Sequence, residues 1–263
     1  MRLFYEMTKR SWQRYLTYRA ATLAGLVTNF FFGLLRAAIL VALYGARQEV
    51  DGLTVQGVIT YTAVTQALIA YLSFFGWTDL MDSVHSGEVA ADLLKPMNFI
   101  GFWMARDLGR AMIMFLLRGV TLIMVYTLVF DLIVPETAVQ WCAFFIALVL
   151  AWLVSFAWRF LINLAAFWTP NALGIGRFGF MLAWFFSGMI MPLPLFPDWI
   201  QKIAYLTPFP YMLDVTAEIF IGTLSSRDIT TALTLQALWG IGLLLVNQLV
   251  LRVGVRRLVI LGG

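Results

Sequence analysis

The sequence predicts an all-α integral membrane protein, and three observations carry that prediction. Only 12 % of its 263 residues are charged and 62 % are hydrophobic, against roughly 25 % and 45–50 % in soluble domains. The apolar residues gather in runs long enough to cross a hydrocarbon core of about 30 Å, which takes about 20 helical residues at about 1.5 Å each. Lysines and arginines, finally, fall almost wholly in alternate intervals between those runs, as topology rules require.

The first element expected is an amphipathic helix over 1–19. In helical projection Phe4, Met7, Ser11, Trp12, Tyr15 and Leu16 share one side, while Arg2, Glu6, Lys9, Arg10, Gln13 and Thr17 share the other. Such a basic, aromatic-bearing helix suits a membrane interface with anionic lipids. The apolar run after it is too long for the 7–15-residue h-region of a signal peptide. Six spans follow, at 20–44, 55–77, 111–130, 138–161, 177–191 and 229–251. With the N-terminus inside, thirteen cations lie on the cytoplasmic side, Arg19, Arg106, Arg110 and Arg159 among them, and only Arg47, Lys202 and Arg227 lie outside. Both termini are therefore expected in the cytoplasm of a cell whose inner (plasma) membrane holds the chain. Arg36 and Arg118 fall within spans, where an ionisable residue is a functional candidate or one that snorkels or meets a helix end. Ala21 and Gly25 suit close helix packing.

Two intervals stand apart. Residues 78–110 form the longest cytoplasmic segment and contain "HSGEVAADLLKPMNFIGFWMARDLGR". Ser86 is the expected N-cap of a short helix there. Glu88 stands in its first turn, Asp92 four residues on shares its face, Lys95 suits its C-terminal end, and Pro96 stops it. A displayed helix of this kind is a linker or a docking knob. The other interval, 192–228, has prolines at 192, 194, 197, 208 and 210 between large apolar side chains. It is too broken to span and too apolar for a solvated loop. Backbone of this sort is tolerated at membrane depth only where protein or a water-filled cavity satisfies it. It is expected to be re-entrant, "DWIQKIAYL" and "YMLDVTAEIFIG" forming short helices, with Asp198, Asp214 and Glu218 facing the outer water.

Catalytic motifs are missing. "GIGRFG" (174–179) has dinucleotide-fingerprint spacing, but that motif needs a preceding strand in a βαβ unit, and here it enters a span. None of the three lysines, Lys9, Lys95 and Lys202, follows glycine, so no P-loop exists. One histidine, His85, among Asp82, Ser83 and Ser86, makes neither a zinc site nor a plausible base. No catalytic, cofactor or metal site is expected, no nucleic-acid partner, and no acid within the spans that would suggest a proton relay.

The basic amphipathic N-terminus, the six spans, "SGEVAADLLKPMNF" and "FFSGMIMPLPLFPDWIQKIAYLTPFPYMLDVTAEIFIG" together resemble the membrane subunit of a type-2 ABC exporter. That class includes daunorubicin-resistance permeases and polysaccharide exporters. The resemblance implies a coupling helix at Ser86–Pro96, with Ser86, Gly87, Glu88, Asp92, Leu93, Leu94, Lys95 and Pro96 meeting an ATPase. It implies that the first nineteen residues are the connecting helix near that interface. It also implies an outer gate including Pro208, Phe209, Pro210, Tyr211, Asp214 and Glu218, and a cavity lined by the first, second and fifth spans. Two ATPase subunits holding ATP and Mg, a second permease copy or homologue, and membrane lipids are the implied partners. The expected cargo is hydrophobic or amphipathic: a drug, lipid or glycan. An ATP-independent membrane scaffold or secondary carrier is the alternative.

Overall fold

A computed structural model describes residues 2–17, 19–169 and 171–257. Met1, Tyr18, Pro170 and 258–263 lie outside the described residues, as does the side chain of Arg19, which the positive-inside count included. Among the described residues the chain is all-α apart from one small hairpin, β1 (Glu49–Val50) and β2 (Leu53–Thr54). The helices in order are α1 (Arg2–Leu16), α2 (Arg19–Tyr44), α3 (Val55–Leu72), α4 (Asp79–His85), α5 (Val89–Leu93) and α6 (Phe99–Met114). A π turn at Phe115–Val120 joins α6 to α7 (Thr121–Val129). Then come α8 (Ala138–Asn163), α9 (Ala172–Phe186), α10 (Asp198–Tyr205), α11 (Asp214–Ile221) and α12 (Ser226–Val255).

Side-chain caps set many of the boundaries. The side chains of Thr54, Asn98, Thr137 and Ser225 each accept a hydrogen bond from a backbone N–H three residues on, at Gly57, Gly101, Gln140 and Asp228. Such residues satisfy donors that a helix start leaves unpaired. At the other end of α3, Ser73 takes a left-handed conformation (φ 51°) and turns the chain into the 78–110 segment.

Among the described residues, five helical segments are long and apolar enough to cross a membrane: Ala20–Tyr44, Val55–Leu72, Phe99–Val129, Ala138–Phe167 and Ser226–Val255. The protein is a multi-pass membrane protein. The remaining apolar helix, α9, has 15 residues, roughly 22 Å of rise. It ends at Phe186, so residues 187–191, expected as its outer end, are turn instead. The third segment starts at Phe99, earlier than the expected 111, because Asn98 caps it and α1 packs along its first turns. Ser11 Oγ donates to the Arg106 carbonyl at 2.6 Å.

The core lies between α3, α6, α8 and α11, with α12 packed on α8. Trp77, Trp103, Phe156 and Phe160 interlock edge-on and tilted at one end. Phe144 and Phe220 do the same at the other. By contrast α2 shows Leu23, Val27, Phe31, Leu35, Ile39 and Leu43 on one face, each about half exposed or more. A helix apolar on its open face belongs in lipid or against another membrane chain. The end of the molecule that carries α1, α4 and α5 is called the α1 end below, and the end that carries α10 and α11 the opposite end.

Candidate functional site

Two buried polar clusters lie at the two ends of the membrane domain. The one at the α1 end is built around Asp107 on α6. Its Oδ1 accepts from Arg110 Nε (3.0 Å) and Nη2 (2.9 Å) and from Arg159 Nη1 (3.1 Å). Its Oδ2 accepts from Arg159 Nη2 and Trp152 Nε1, both at 2.8 Å. Every lone-pair direction of the carboxylate is therefore used, mostly by charge-assisted bonds. Arg110 also donates to the carbonyls of Ala70 and Tyr71 (2.8 and 3.0 Å), acceptors in the last turn of α3. One carboxylate thus joins the end of α3, the start of the third segment and the end of α8. Arg110 and Arg159, counted among the cytoplasmic-side cations, are 6 % and 2 % exposed. The expectation that the spans hold no acid fails at Asp107, which two arginines make tolerable.

The cluster extends to α4. Asn163 on α8 donates to the Trp77 carbonyl (2.7 Å), and its Oδ1 accepts from the Met81 N–H (3.2 Å). Ser155 donates to the Leu72 carbonyl at 3.0 Å. The segment after α3 is thereby pinned on both sides to α8.

The expected single helix over Ser86–Pro96 is two helices. Ser86 closes α4 as its C-cap instead of opening a helix, because Gly87 turns the chain with φ 79°. Glu88, next in line, makes no side-chain cap bond at the start of α5. Glu88 and Asp92, expected to share a face, differ in burial: Glu88 is exposed, whereas Asp92 is 8 % exposed and ion-paired with Lys95. Lys95 Nζ also lies 3.8 Å from the centre of the Phe102 ring. What protrudes is Glu88, Pro96 and above all Leu94, 86 % exposed. Leu93 is half-buried and His85 is exposed.

The cluster at the opposite end forms where α9 breaks. Gly188 has φ 78°, and a Cβ there would stand 2.1 Å from Tyr61 Oη and 2.6 Å from Asp214 Oδ1. Only glycine permits that turn so close to its neighbours. Its carbonyl accepts from Tyr61 Oη (2.9 Å) and Arg36 Nη2 (3.1 Å), and the Ile190 carbonyl accepts from Arg36 Nε (3.2 Å). Arg36 therefore neutralises the carbonyl end of a broken helix, with Thr65 Oγ1 as a further acceptor at 3.0 Å. Asp214 Oδ1 accepts from Tyr61 Oη (2.6 Å) and the Leu193 N–H (3.1 Å), and Oδ2 from Tyr205 Oη (3.2 Å).

Asp214 and Glu218 were expected to face outer water. They are 0 % and 7 % exposed, because every residue of α11 is buried between α3 and α8. Gln140 Nε2 clamps its far end, donating to the Ile219 and Phe220 carbonyls at 3.0 Å each. Burial pushes the Asp214 carboxyl up to about 6 against the three hydrogen bonds that favour its anion. Burial and the neighbouring Asp214 push Glu218 up as well. Pro208, Phe209, Pro210 and Tyr211 are buried with them, while Asp198, Trp199 and Leu206 stay exposed on α10. The glycines of "GIGRFG" lie within α9, where Gly179 packs on Ile162.

The domain is thus a set of apolar helices riveted by internal charge, with a proline-broken segment folded back between them. Residues 30–262 match the family described as ABC-2 family transporter protein, and the chain belongs to that family. It is a permease component of an ABC transporter, a class that works with an ABC ATPase and is generally not itself an enzyme. No curated protein and no solved structure matches the chain.

Proposed function

We propose that the chain is the translocating subunit of an ATP-driven exporter for a hydrophobic or amphipathic substrate. The α1 end is cytoplasmic, in the inner (plasma) membrane. A pair of such chains, or one with a homologue, works with two ATPase subunits that bind ATP and Mg. The observation that carries this reading is the α4–α5 knob: a leucine exposed to solvent at its tip and a base hydrogen-bonded to the Asp107 cluster. An exposed apolar tip outside the spans suits a groove on a partner.

Closure of the ATPase pair would push on Glu88, Leu94 and Pro96. The pinned backbone of Trp77 and Met81 would pass that displacement to α8, and Asp107 would pass it on to α3 and α6. At the opposite end the Gly188–Tyr61–Asp214 contacts join α3 to α11. Movement of α3 would therefore strain the segment that closes the outer side. The outer halves of the bare faces, Leu35, Ile39 and Leu43 of α2 with Trp199 and Leu206 of α10, are the surface offered to the second permease.

Purification of the tagged chain in mild detergent from its native cell, with mass spectrometry of what accompanies it, tests this reading. An ABC ATPase should co-purify, and Leu94→Asp with Glu88→Lys should release it while leaving the melting temperature of the permease unchanged. Undiminished ATPase recovery with that double variant would remove α4–α5 from the interface. The secondary-carrier alternative has one observation in its favour, the buried acids Asp214 and Glu218. It predicts a chain recovered without an ATPase and uptake or efflux driven by a pH gradient in proteoliposomes.

A further inference from the structure

A cavity of about 280 Å3 lies where α1 and the α4–α5 segment meet the third segment. Arg10 and Arg14 of α1, Arg106 and Arg110 of α6, Lys95 after α5 and Asp79 at the start of α4 are in its wall. It adjoins the Asp107 cluster, since Asp107 and Arg110 both line it. Two of its cations have partners already: Lys95 is paired with Asp92, and Arg110 with Asp107. Arg10, Arg14 and Arg106 take part in none of the three ion pairs among the described residues, and neither does Asp79. Asp107, the other acid in the wall, already serves two arginines. Three cations therefore stand against one free acid, and two positive charges go unmatched.

The way these arginines are held leaves them open to an anion. Arg10 and Arg14 are exposed and four residues apart on one helix, a spacing at which like charges repel. Arg106 is half-buried, its guanidinium carbon 4.5 Å from the centre of the Trp103 ring. Stacking uses the face of a guanidinium and leaves its in-plane N–H groups free to donate. The space beside Arg118 continues the same basic surface, because Arg14 and Tyr15 line both. Close packing at Gly25 was expected between helices; instead the Arg118 guanidinium occupies the place where a Cβ would stand. Arg118 Nε is buried there without a hydrogen-bond partner.

We propose that the cavity between α1 and α6 binds the phosphate group of a phosphate monoester, held between Arg106 on one side and Arg10 and Arg14 on the other. Such a group carries about −1.5 to −2 charges near pH 7 and three strong acceptor oxygens. It therefore answers two unmatched positive charges, where a carboxylate answers one. Arginine suits it because its planar fork donates two parallel hydrogen bonds. A phosphate bound there ties α1 to the third segment beside the base of the α4–α5 knob. The inference goes beyond the transport reading and needs neither ATPase nor cargo, so it stands or falls separately from both.

The test titrates the full chain in phosphate-free detergent buffer with methyl phosphate and methyl sulfate by calorimetry, at constant ionic strength and about pH 7.5, where the two esters differ by one charge. Methyl phosphate should bind about tenfold more tightly, the worth of one charge-assisted contact. Arg106→Gln should weaken that binding about tenfold and Arg10→Gln by a smaller factor, whereas Asp79→Asn should tighten it. Equal affinity for the two esters overturns the phosphate assignment. So does acetate binding as tightly as methyl phosphate, which points to an acidic side chain of a partner protein instead. No binding of methyl phosphate, or binding unchanged in Arg106→Gln and Arg10→Gln, overturns the site. If Arg106→Gln does not fold by circular dichroism, the exposed positions Arg10 and Asp79 decide. Arg10→Gln and Asp79→Asn shifting affinity in opposite directions supports the site, and any other result overturns it. In phosphatidylcholine nanodiscs, competition against methyl phosphate by added phosphatidic acid supports a lipid headgroup as the source of the phosphate, and undiminished binding supports a soluble ester.

Discussion

The two polar clusters use the same ingredients, a buried aspartate, arginine and aromatic donors, but differ in what the arginines face. At the α1 end both guanidinium groups meet the carboxylate directly, and Asp107 receives five hydrogen bonds, four of them from arginine. At the opposite end Arg36 faces two backbone carbonyls, and Asp214 relies on two hydroxyls and one amide. The first arrangement holds its carboxylate by charge, the second by neutral donors. Tyr61 has a single hydroxyl hydrogen and two acceptors, Asp214 Oδ1 at 2.6 Å and the Gly188 carbonyl at 2.9 Å. An ionised Asp214 takes that hydrogen. A protonated Asp214 leaves it to Gly188, whose other donor is Arg36. The lesson is that charge pairing fixes one end as a joint for transmitting force, while hydroxyl bonding leaves the other end able to rearrange.

Removing the central carboxylate should separate the clusters most sharply. Asp107→Ala leaves two guanidinium groups buried without a counter-ion, which costs about 3–5 kcal/mol. That corresponds to a melting temperature lower by about 10 °C or more for a domain of this size. A shift of only a degree or two in detergent would show that the arginines find other partners.

Next in size is a pH effect confined to the opposite end. With Asp214 raised to about 6, the folded chain holds a proton that the unfolded chain releases near 4. Between those values the native state binds more protons, so stability falls as pH rises, and the raised Glu218 prolongs the decline. The change is on the order of 3 kcal/mol, with Glu218 acting in the same direction. Thermal melts across that window should show the decline in wild type and a much flatter curve in Asp214→Asn. A wild-type stability that rises with pH over the same window would contradict the burial assigned to both acids.

Tyr61→Phe should cost about 1 kcal/mol, the usual net worth of one hydrogen bond. It should also raise the Asp214 midpoint further, since it removes a donor to the anion. If the variant instead lowered that midpoint in the melts, Tyr61 would not be donating to Asp214.

Much of the fold was legible in the sequence because a spanning helix is a local property. Twenty apolar residues announce themselves without reference to the rest of the chain, and so does the two-sided pattern of Phe4, Met7, Ser11, Trp12 and Tyr15. The clusters were not legible because their partners are far apart in sequence. Asp107 meets Arg159, and Asp214 meets Tyr61, only after the helices pack. Asp107 and Arg110 did offer a local signal, three residues apart on one helix, which the charge count passed over. Glu88 and Asp92 show the same limit: Glu88 keeps helical backbone angles one turn before Asp92, yet only packing decides that Asp92 is buried and paired with Lys95 while Glu88 stays exposed. Arg36 and Arg118 were recognisable as unusual from their positions in spans, but only the packed structure separates the one that meets a helix end from the one that meets no protein partner.

The brevity of α9 reaches beyond the protein into the bilayer around it. Its 15 residues fall about 8 Å short of an average hydrocarbon core, while α8, against which it packs, and α12, which packs on α8 in turn, are 26 and 30 residues long. Lipid beside α9 must thin or the helix must be shielded, at a fraction of a kcal/mol per Å of mismatch. Lipids with longer acyl chains steepen that penalty on one flank of the molecule only. Host-membrane thickness thereby becomes a lopsided mechanical load on the permease, readable as a dependence of its turnover on acyl-chain length in reconstituted vesicles.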